Sequence, residues 1–251
     1  MNILVTGGGR GIGRAIALAF AEPGSVVAVA ARTQAQLDDT ARAIAARGAK
    51  PIALAVDVTD EHAVARAFEQ LRAITLIVDV VVNNAGVGGG QPIDTTDTAS
   101  WRRILDTNVL GTFLVTREAV RMLSDGGRVI NMSSVLGRFG VAGYTAYCAS
   151  KHAVIGFTRA LALELVKRRI TVNAICPGWV ETDMAAQGMQ NGANAMGVTL
   201  EQFRTQALGA VPIGRIIEPN EVASLVRFLA SPQAAAITGQ TYNICGGQTM
   251  D

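Results

Sequence analysis

Short apolar runs rich in β-branched residues alternate along this chain with longer segments in which apolar residues recur every three or four positions. The longer segments, such as Gly13–Glu22 and Gln34–Arg47, have the spacing of amphipathic helices. Strands and helices that alternate in this way form right-handed βαβ units around a parallel sheet covered on both faces. The pattern therefore predicts an α/β fold with seven strands, at Ile3–Thr6, Val26–Ala30, Ile52–Val56, Leu76–Val82, Arg128–Met132, Ile170–Ile175 and Tyr242–Ile244.

The sequence shows no internal division. Neither a low-complexity linker nor a shift in composition separates its parts, so we predict one doubly wound domain over residues 1–251. The most apolar helices, Arg14–Phe20 and Ala153–Val166, are expected to pack on the sheet or on another subunit. Prolines break helices, and in the last third we expect loops, short helices and an irregular insert around Pro177, Pro212, Pro219 and Pro232.

Composition narrows the function classes. A length of 251 residues with 49% hydrophobic residues suits one sizeable core. The net charge of +2, without a basic block, does not predict a nucleic-acid surface. No apolar run approaches the ~20 residues of a membrane helix, and Met1 leads into Ile3–Val5 without the basic region of a secretory signal. We expect a cytoplasmic protein that binds neither nucleic acid nor membrane.

Cysteine and histidine are scarce. Cys148, Cys176 and Cys245 are far apart and form no C-x-x-C motif, which argues against a disulfide framework or a zinc site. With two histidines and no G-x-S-x-G elbow, a hydrolytic triad is not expected either. The sequence therefore predicts no metal and no hydrolase chemistry.

A glycine-rich turn follows the first predicted strand. Residues Thr6–Gly13 read T-G-G-G-R-G-I-G, and an apolar helix begins near Arg14. Glycines let the backbone turn tightly and approach a pyrophosphate, while the helix N-terminus offers free N–H groups and the positive end of its dipole. A glycine-rich surface turn is the alternative. The strand–turn–helix context favours a dinucleotide site at Gly7, Gly9, Arg10, Gly11, Ile12 and Gly13.

Two arginines bear on which dinucleotide binds. NAD sites usually place an acidic residue after the second strand to hold the ribose 2′-hydroxyl, whereas here Arg32 follows that strand. Arg10, inside the glycine turn, is expected near the same region. Two guanidinium groups suit the 2′-phosphate of NADP(H), because each forms charge-assisted hydrogen bonds. We predict NADPH rather than NADH, against the alternative that either arginine is only solvated.

Tyr147 and Lys151 form a candidate proton-transfer pair. They lie four residues apart, so on a helix they point to the same face. A phenol with a pKa near 10 is a poor proton shuttle at neutral pH, and a neighbouring ammonium lowers that pKa by favouring the phenolate. With only three tyrosines in the chain, this spacing is unlikely to arise by accident, and it predicts acid–base chemistry.

These motifs together resemble the short-chain dehydrogenase/reductase family over nearly the whole chain. Thr6–Gly13 matches the family's T-G-x-x-x-G-x-G and Asn83–Gly86 its N-N-A-G. Tyr147–Lys151 matches Y-x-x-x-K, and Pro177–Thr182 matches P-G-x-x-x-T. The resemblance implies a Rossmann-like seven-stranded sheet and an enzyme that transfers hydride between a nicotinamide and a carbonyl carbon.

The same resemblance implies catalytic roles. Ser134, thirteen positions before Tyr147, would hydrogen-bond the substrate oxygen in the manner of an oxyanion hole, with Ser133 as a structural neighbour. Tyr147 would protonate the developing alkoxide. Lys151 would bind the nicotinamide ribose and lower the tyrosine pKa, and Asn108 would complete a water relay to solvent.

Further cofactor contacts are implied in the same way. Asp57 and Val58 resemble the family's adenine contact, and Asn84–Gly86 would lie against the adenosine ribose. Val180 and Thr182 would hold the carboxamide. Beyond the glycine turn, the expected cofactor-binding set is Arg32, Asp57, Val58, Asn84, Ala85, Gly86, Tyr147, Lys151, Pro177, Gly178, Val180 and Thr182. Asn83 and Asn173 are expected to tie strands together instead.

Substrate selection is expected in a lid at about 184–210, chiefly in Met184–Arg204. Its glycines and methionines suggest a mobile apolar segment, and Tyr144 and Met184 are candidate pocket walls. Stretches such as Asn243–Gly247 look like bacterial 3-oxoacyl and aromatic polyketide ketoreductases, although Val87–Gly90 lacks the proline of the polyketide P-G-G. We predict reduction of a 3-oxoacyl thioester or a polyketide-like ketone, delivered free, on CoA or on a carrier protein.

Two other functions stay open: an NAD(P)-dependent secondary-alcohol dehydrogenase acting oxidatively, and a non-catalytic dinucleotide-binding regulator. Lys167–Arg169 would suit an acidic carrier protein, but cations at a helix C-terminus, favoured there by the dipole, are the simpler interpretation. The family resemblance implies a homotetramer.

Overall fold

A computed structural model describes residues 1–75 and 77–250. Seven parallel strands form one sheet in the order β3-β2-β1-β4-β5-β6-β7, which confirms the predicted Rossmann-like architecture. Leu76, the first residue of the predicted fourth strand, lies outside the described residues. The strands are β1 (Asn2–Thr6), β2 (Val26–Ala31), β3 (Lys50–Ala55), β4 (Val78–Asn83), β5 (Leu123–Met132), β6 (Thr171–Pro177) and β7 (Thr241–Ile244).

Helices fill the intervals between the strands. One five-residue π-helical turn, Asp106–Leu110, joins α4 to α5. The helices are α1 (Gly11–Ala19), α2 (Gln34–Ala45), α3 (Glu61–Arg72), α4 (Thr98–Leu105), α5 (Gly111–Val120), α6 (Thr145–Leu165), α7 (Asp183–Met196), α8 (Leu200–Gly209) and α9 (Pro219–Ala230).

The sheet is covered on both faces because its strands are apolar at successive positions. In β1, Leu4 packs into one core, which receives α3, α5 and α6. Its neighbours Ile3 and Val5 pack into the other core, beneath α1, α2 and α9. Side chains alternate between the faces of a strand, so a strand that is buried on both faces needs the uninterrupted apolar run seen here.

The chain reverses its direction of winding at β1, which pairs with β2 on one side and β4 on the other. Ligands of open α/β sheets bind at the carboxyl ends of the strands beside this reversal. Here Thr6, at the end of β1, is hydrogen-bonded to the loop after β4. Its hydroxyl oxygen accepts from the backbone N–H groups of Asn84 and Ala85, each at 3.0 Å. The Asn84 amide in turn donates to the Thr6 carbonyl at 2.9 Å.

The predicted irregular insert before the last strand is instead two helices, α7 and α8. The Thr182 hydroxyl caps α7 by accepting from Ala185 N at 3.3 Å, and Thr199 forms a capping box with Gln202 at the start of α8. Gly192 serves contact between the two helices, since a Cβ there would lie 2.3 Å from the Phe203 ring. A glycine that indicated mobility in the sequence is thus required for helix packing.

Candidate active site

A cleft of about 340 Å³ opens at the carboxyl ends of the strands beside the reversal. It joins the glycine turn, the ends of β2 and β3, the loop after β4 and the start of α7. The residues predicted from the sequence that line it are Gly7, Gly9, Arg10, Gly11, Ile12, Arg32, Asp57, Val58, Asn84, Ala85, Gly86, Thr182 and Met184. Eight further lining residues were not predicted from the sequence: Ala30, Ala31, Thr33, Gln36, Val56, Val87, Thr107 and Asp183.

The glycine turn has the geometry of an anion cradle. Gly7 adopts a φ of +64°, in the left-handed region that favours glycine. Gly13 lies behind the cleft, and a Cβ there would lie 2.2 Å from the Gly7 carbonyl oxygen. The N-terminus of α1 has no side-chain cap, so its N–H groups point free toward the cleft. These features fit the pyrophosphate of a dinucleotide.

Both predicted arginines line the cleft, and each has an acidic partner that lines it too. Arg10 Nη1 lies 2.7 Å from Asp183 Oδ2, in the first turn of α7. Arg32 Nη1 lies 3.9 Å from Asp57 Oδ2. The arginine side chains are 60% and 70% exposed, so these pairs are weak and open to competition by a stronger anion. Two guanidinium groups at this end of the cleft fit a 2′-phosphate.

Tyr147 and Lys151 share one face of α6, as their spacing predicts. Lys151 Nζ lies 5.5 Å from the centroid of the Tyr147 ring. The lysine is buried and donates a hydrogen bond to the Met132 carbonyl at the end of β5, at 2.9 Å. The ammonium is therefore held at a fixed point beneath the loop after β4, where a Cβ on Gly86 would lie 3.6 Å from it.

The prediction that the lysine lowers the tyrosine pKa toward neutral is wrong for the protein alone. Burial raises the pKa of Tyr147 to about 12, and the nearby Ser134 hydroxyl only partly offsets this. Burial also lowers the pKa of Lys151 to about 8. Desolvation disfavours the charged form of each group, so the phenol is held protonated and is suited to donate a proton.

The two serines after β5 have different surroundings. Ser134 is buried, and its hydroxyl oxygen accepts from Leu136 N at 3.2 Å, which leaves its own proton available toward Tyr147. The Ser133 hydroxyl donates to the Lys151 carbonyl at 2.9 Å. Ser133 therefore anchors α6, whereas the Ser134 hydroxyl interacts with Tyr147; contact of Ser134 with a substrate oxygen stays a prediction.

Asn108 lies in the π-helical turn, an irregularity that often marks functional sites. Its side chain accepts from Val87 N at 2.8 Å and donates to Val87 O and Ser150 Oγ, each at 3.0 Å. The amide is thus occupied in holding the loop after β4 against α6. The structure supports a positioning role for Asn108 directly, and a part in the predicted water relay stays a prediction.

The remaining candidates lie around this centre. Tyr147 and Lys151 do not line the cleft, and neither do Pro177, Gly178 and Val180. Pro177 pairs with Ile244 at the end of β6, and Val180 is buried. A Cβ on Gly178 would lie 3.1 Å from Cys245 Cα. These residues connect the β6 end to the C-terminal strand.

The predicted pocket walls flank the loop Val87–Gly90. A Cβ on Gly88 would lie 3.8 Å from Met184 Sδ, and a Cβ on Gly90 would lie 2.8 Å from the Tyr144 ring. Met184 and Tyr144 thus each lie next to a glycine of this loop, and their role as pocket walls stays a prediction.

The asparagines expected to tie strands do so. The Asn83 amide donates to Asn131 Oδ1 and to Thr116 Oγ1, each at 2.8 Å. Asn173 donates to the Ile237 carbonyl at 2.8 Å. They join neighbouring segments behind the site and make no contact with the cleft.

The basic segment after α6 is partly structural. The Arg168 side chain donates to the Val120 carbonyl at 2.9 Å and to Asp125 at 3.1 Å, which supports the helix-end interpretation. Within residues 1–75 and 77–250, no cluster of three acidic, histidine or cysteine side chains suits a metal ion. Over the same residues, no helix is both long enough and apolar enough to traverse a bilayer.

Comparison with known proteins finds extensive similarity. A family model described as enoyl-(acyl carrier protein) reductase matches residues 7–249. A putative ketoacyl reductase of Streptomyces coelicolor is 41% identical over 253 residues, covering 97% of this chain and 95% of the relative. A 3-oxoacyl-(acyl-carrier-protein) reductase of Aquifex aeolicus is 36% identical over 247 residues, covering 97% and 95%. A crystal structure of a variant actinorhodin polyketide ketoreductase with NADPH superposes with a TM-score of 0.92 at 38% identity, covering 98% and 96%.

Proposed function

This chain belongs to the short-chain dehydrogenase/reductase family, and from that premise we propose that it is an NADPH-dependent ketoreductase. The substrate is a 3-oxoacyl thioester or a related polyketide-like ketone. The observation that carries the proposal is the position of Tyr147: its phenol interacts with the Ser134 hydroxyl, and Lys151 Nζ lies 5.5 Å from the centroid of its ring. This arrangement suits the reduction of a carbonyl, because the oxygen that becomes an alkoxide requires a hydrogen-bond donor and a proton.

Each part of the cofactor has its own set of proposed contact residues. The glycine turn and the N-terminus of α1 would hold the pyrophosphate, Arg10 and Arg32 the 2′-phosphate, and Asp57 with Val58 the adenine. The loop Asn84–Gly86 would lie against the ribose, and Thr182, which lines the cleft, near the carboxamide. Val180, whose side chain is buried, would contribute only through its backbone. When bound, NADPH supplies hydride to the carbonyl carbon.

Side chains of this protein would bind the carbonyl oxygen of the substrate and supply the proton that it takes up. Ser134 orients the carbonyl by a hydrogen bond that strengthens as charge develops on the oxygen. Tyr147 gives its proton to that oxygen, acting as a general acid. The Lys151 ammonium, fixed by the Met132 carbonyl, stabilises the resulting phenolate. Asn108 holds the loop after β4 in place for this geometry.

A panel of ketones and acyl thioesters tests the proposal. Purified protein with saturating NADPH is expected to oxidise the cofactor only when a ketone is added, with 3-oxoacyl thioesters among the best substrates. The measurement is the fall in NADPH absorbance together with detection of the secondary alcohol. A protein that binds NADPH tightly but reduces no member of the panel would support the non-catalytic regulator instead.

Cofactor selectivity gives a prediction for the two arginines. Replacing Arg10 or Arg32 with alanine is expected to weaken NADPH binding about tenfold to a hundredfold, the range for one charge-assisted hydrogen bond. NADH affinity should change by less than about twofold, because NADH lacks the 2′-phosphate. Fluorescence titration of the apoprotein with both dinucleotides measures this. Equal losses for NADPH and NADH would contradict the assignment, and Arg66→Ala, at an exposed position of α3 that does not line the cleft, serves as a control.

The pH profile gives a prediction for Lys151. Its pKa of about 8 means that raising the pH through this value removes the positive charge beside Tyr147, whereas Tyr147, with a pKa of about 12, keeps its proton. kcat/KM for ketone reduction is therefore expected to fall above about pH 8, by about tenfold per pH unit. Lys151→Arg, which stays charged, should lose this alkaline limb. A wild-type profile that is flat from pH 7 to 10 would refute the role given to the lysine charge.

We also propose that the chain forms a cytoplasmic homotetramer. Large apolar side chains on the outer sides of α5 and α6 are exposed: Phe113 is 43% and Leu163 78% accessible. Phe228, on α9, and Met250, near the C-terminus, are exposed as well. Exposed large apolar side chains on three helices suit subunit interfaces, and the number of four subunits is what the family resemblance implies. Light scattering should give about four times the 26.2 kDa chain mass, and Leu163→Glu should lower it, whereas Glu164→Gln should not.

A further inference from the structure

Tyr144 is a second phenol at the entrance of α6, three residues before Tyr147. Its backbone is fixed at both ends, because its N–H donates to the Val141 carbonyl at 3.1 Å and its carbonyl accepts from Cys148 N at 2.8 Å. Residues three apart at a helix start are neighbours in space. Tyr144 is also among the groups that raise the pKa of Tyr147, so the two phenols share one region of the site.

The far end of the Tyr144 ring rests on the loop after β4. A Cβ on Gly90 would lie 2.8 Å from both Cε2 and Cζ of the ring, so only glycine admits the hydroxyl-bearing edge at this position. The loop itself is held by Asn108, through both backbone groups of Val87. The ring is therefore positioned by the same asparagine that connects this loop to α6.

The Tyr144 hydroxyl makes no hydrogen bond with any residue in the part of the chain described here, although burial raises the pKa of this phenol. A partly buried hydroxyl without a protein partner retains a donor for a ligand. The ring end that carries this hydroxyl lies against Gly90, and the phenol is close enough to Tyr147 to influence its pKa.

We propose that the Tyr144 hydroxyl donates a hydrogen bond to the second oxygen of a 1,3-dicarbonyl substrate, while Ser134 and Tyr147 hold the oxygen of the carbonyl that is reduced. Two neighbouring phenols then bind the oxygens on carbons 1 and 3 of the substrate. Tyr144 is on this view a specificity-determining residue that favours 3-oxoacyl groups over isolated ketones. The inference rests on the proposed reductase function and names the feature of the substrate that the site selects.

Two isomeric thioesters test this. The N-acetylcysteamine thioesters of 3-oxohexanoic and 5-oxohexanoic acid have the same atoms, but only the first has the carbonyls in a 1,3 relation. Tyr144→Phe removes the hydroxyl and keeps the ring. It is expected to lower kcat/KM for the 3-oxo thioester about threefold to tenfold, mainly through KM, the range for one neutral hydrogen bond. The value for the 5-oxo thioester should stay within about twofold.

Two further variants separate this role from packing. Tyr242→Phe makes the same chemical change in β7, away from the cleft, and should leave both thioesters unaffected. Gly90→Ala should displace the Tyr144 ring and reproduce the loss of preference for the 3-oxo isomer. If Tyr144→Phe lowers both thioesters equally, or neither, the inference is wrong while the reductase function stands. If the wild-type protein reduces no ketone at all, the proposed function fails, and this inference fails with it.

Discussion

Tyr147→Phe is expected to lower kcat for ketone reduction about a hundredfold to ten-thousandfold, the usual contribution of a general acid. Phenylalanine keeps the ring and its packing on α6 but has no proton to give. The effect should be large because the phenol is the protonated group beside Ser134, with a pKa held at about 12 by burial. The Lys151 ammonium is held at the Met132 carbonyl by one of its N–H groups, and its proposed role is to stabilise the Tyr147 phenolate rather than to protonate the substrate.

Single-turnover and steady-state rates with NADPH and a 3-oxoacyl thioester measure this effect. NADPH affinity and thermal stability of the variant should stay close to wild type, since only a hydroxyl is lost. Tyr242→Phe is the matched control and should retain full activity. Persistence of wild-type turnover in Tyr147→Phe would show that another group donates the proton, and the mechanism proposed above would have to be abandoned.

Gly13→Ala is expected to destabilise the fold by about 2–3 kcal/mol and to abolish tight NADPH binding. A Cβ at this position would lie 2.2 Å from the Gly7 carbonyl oxygen and 2.5 Å from Asn84 Nδ2. Both are parts of the anion cradle or of the loop beside it, so the backbone has to move. Overpacking of this kind costs about 1–3 kcal/mol, and more where backbone is the obstacle.

Urea denaturation, followed by circular dichroism, measures the change in the free energy of unfolding. Gly209→Ala is the control, because its Cβ would meet nothing within 4 Å. It lies in the last turn of α8 and should be neutral or stabilising by up to about 1 kcal/mol, owing to the higher helix propensity of alanine. Similar stability of Gly13→Ala and Gly209→Ala would contradict the close approach of α1 to the glycine turn.

The largest departures from the sequence-based expectations lie after β6. The glycines of Met184–Arg204 suggested a mobile, irregular segment, whereas the structure has two capped helices there. Local sequence propensity did not predict these helices, because the glycine at position 192 is required by a contact with the next helix. The Phe203 ring occupies the space that a side chain at Gly192 would need. Such a contact between helices has no signature in a single sequence.

Several contacts in the candidate active site were likewise not predictable from the sequence. The Arg10–Asp183 pair joins residues 173 positions apart, and no local pattern indicates that an acid stands opposite the arginine. The pKa of Tyr147 was also misjudged from its neighbour in sequence, because the surrounding atoms that desolvate the phenol come from several elements. The two hydrogen bonds between the Asn108 side-chain amide and the backbone of Val87 likewise depend on the π-helical turn that contains Asn108.

By itself, the sequence determined the alternation of strands and helices, the glycine turn after β1 and the pairing of Tyr147 with Lys151. These features depend on spacing along one element, and helix and strand periods convert spacing directly into direction. Only the tertiary structure decided the pKa and the solvent exposure of each group. It also decided which carboxylates pair with Arg10 and Arg32, and that the Tyr144 ring contacts Gly90. Those properties depend on distances and dielectric surroundings that packing alone creates.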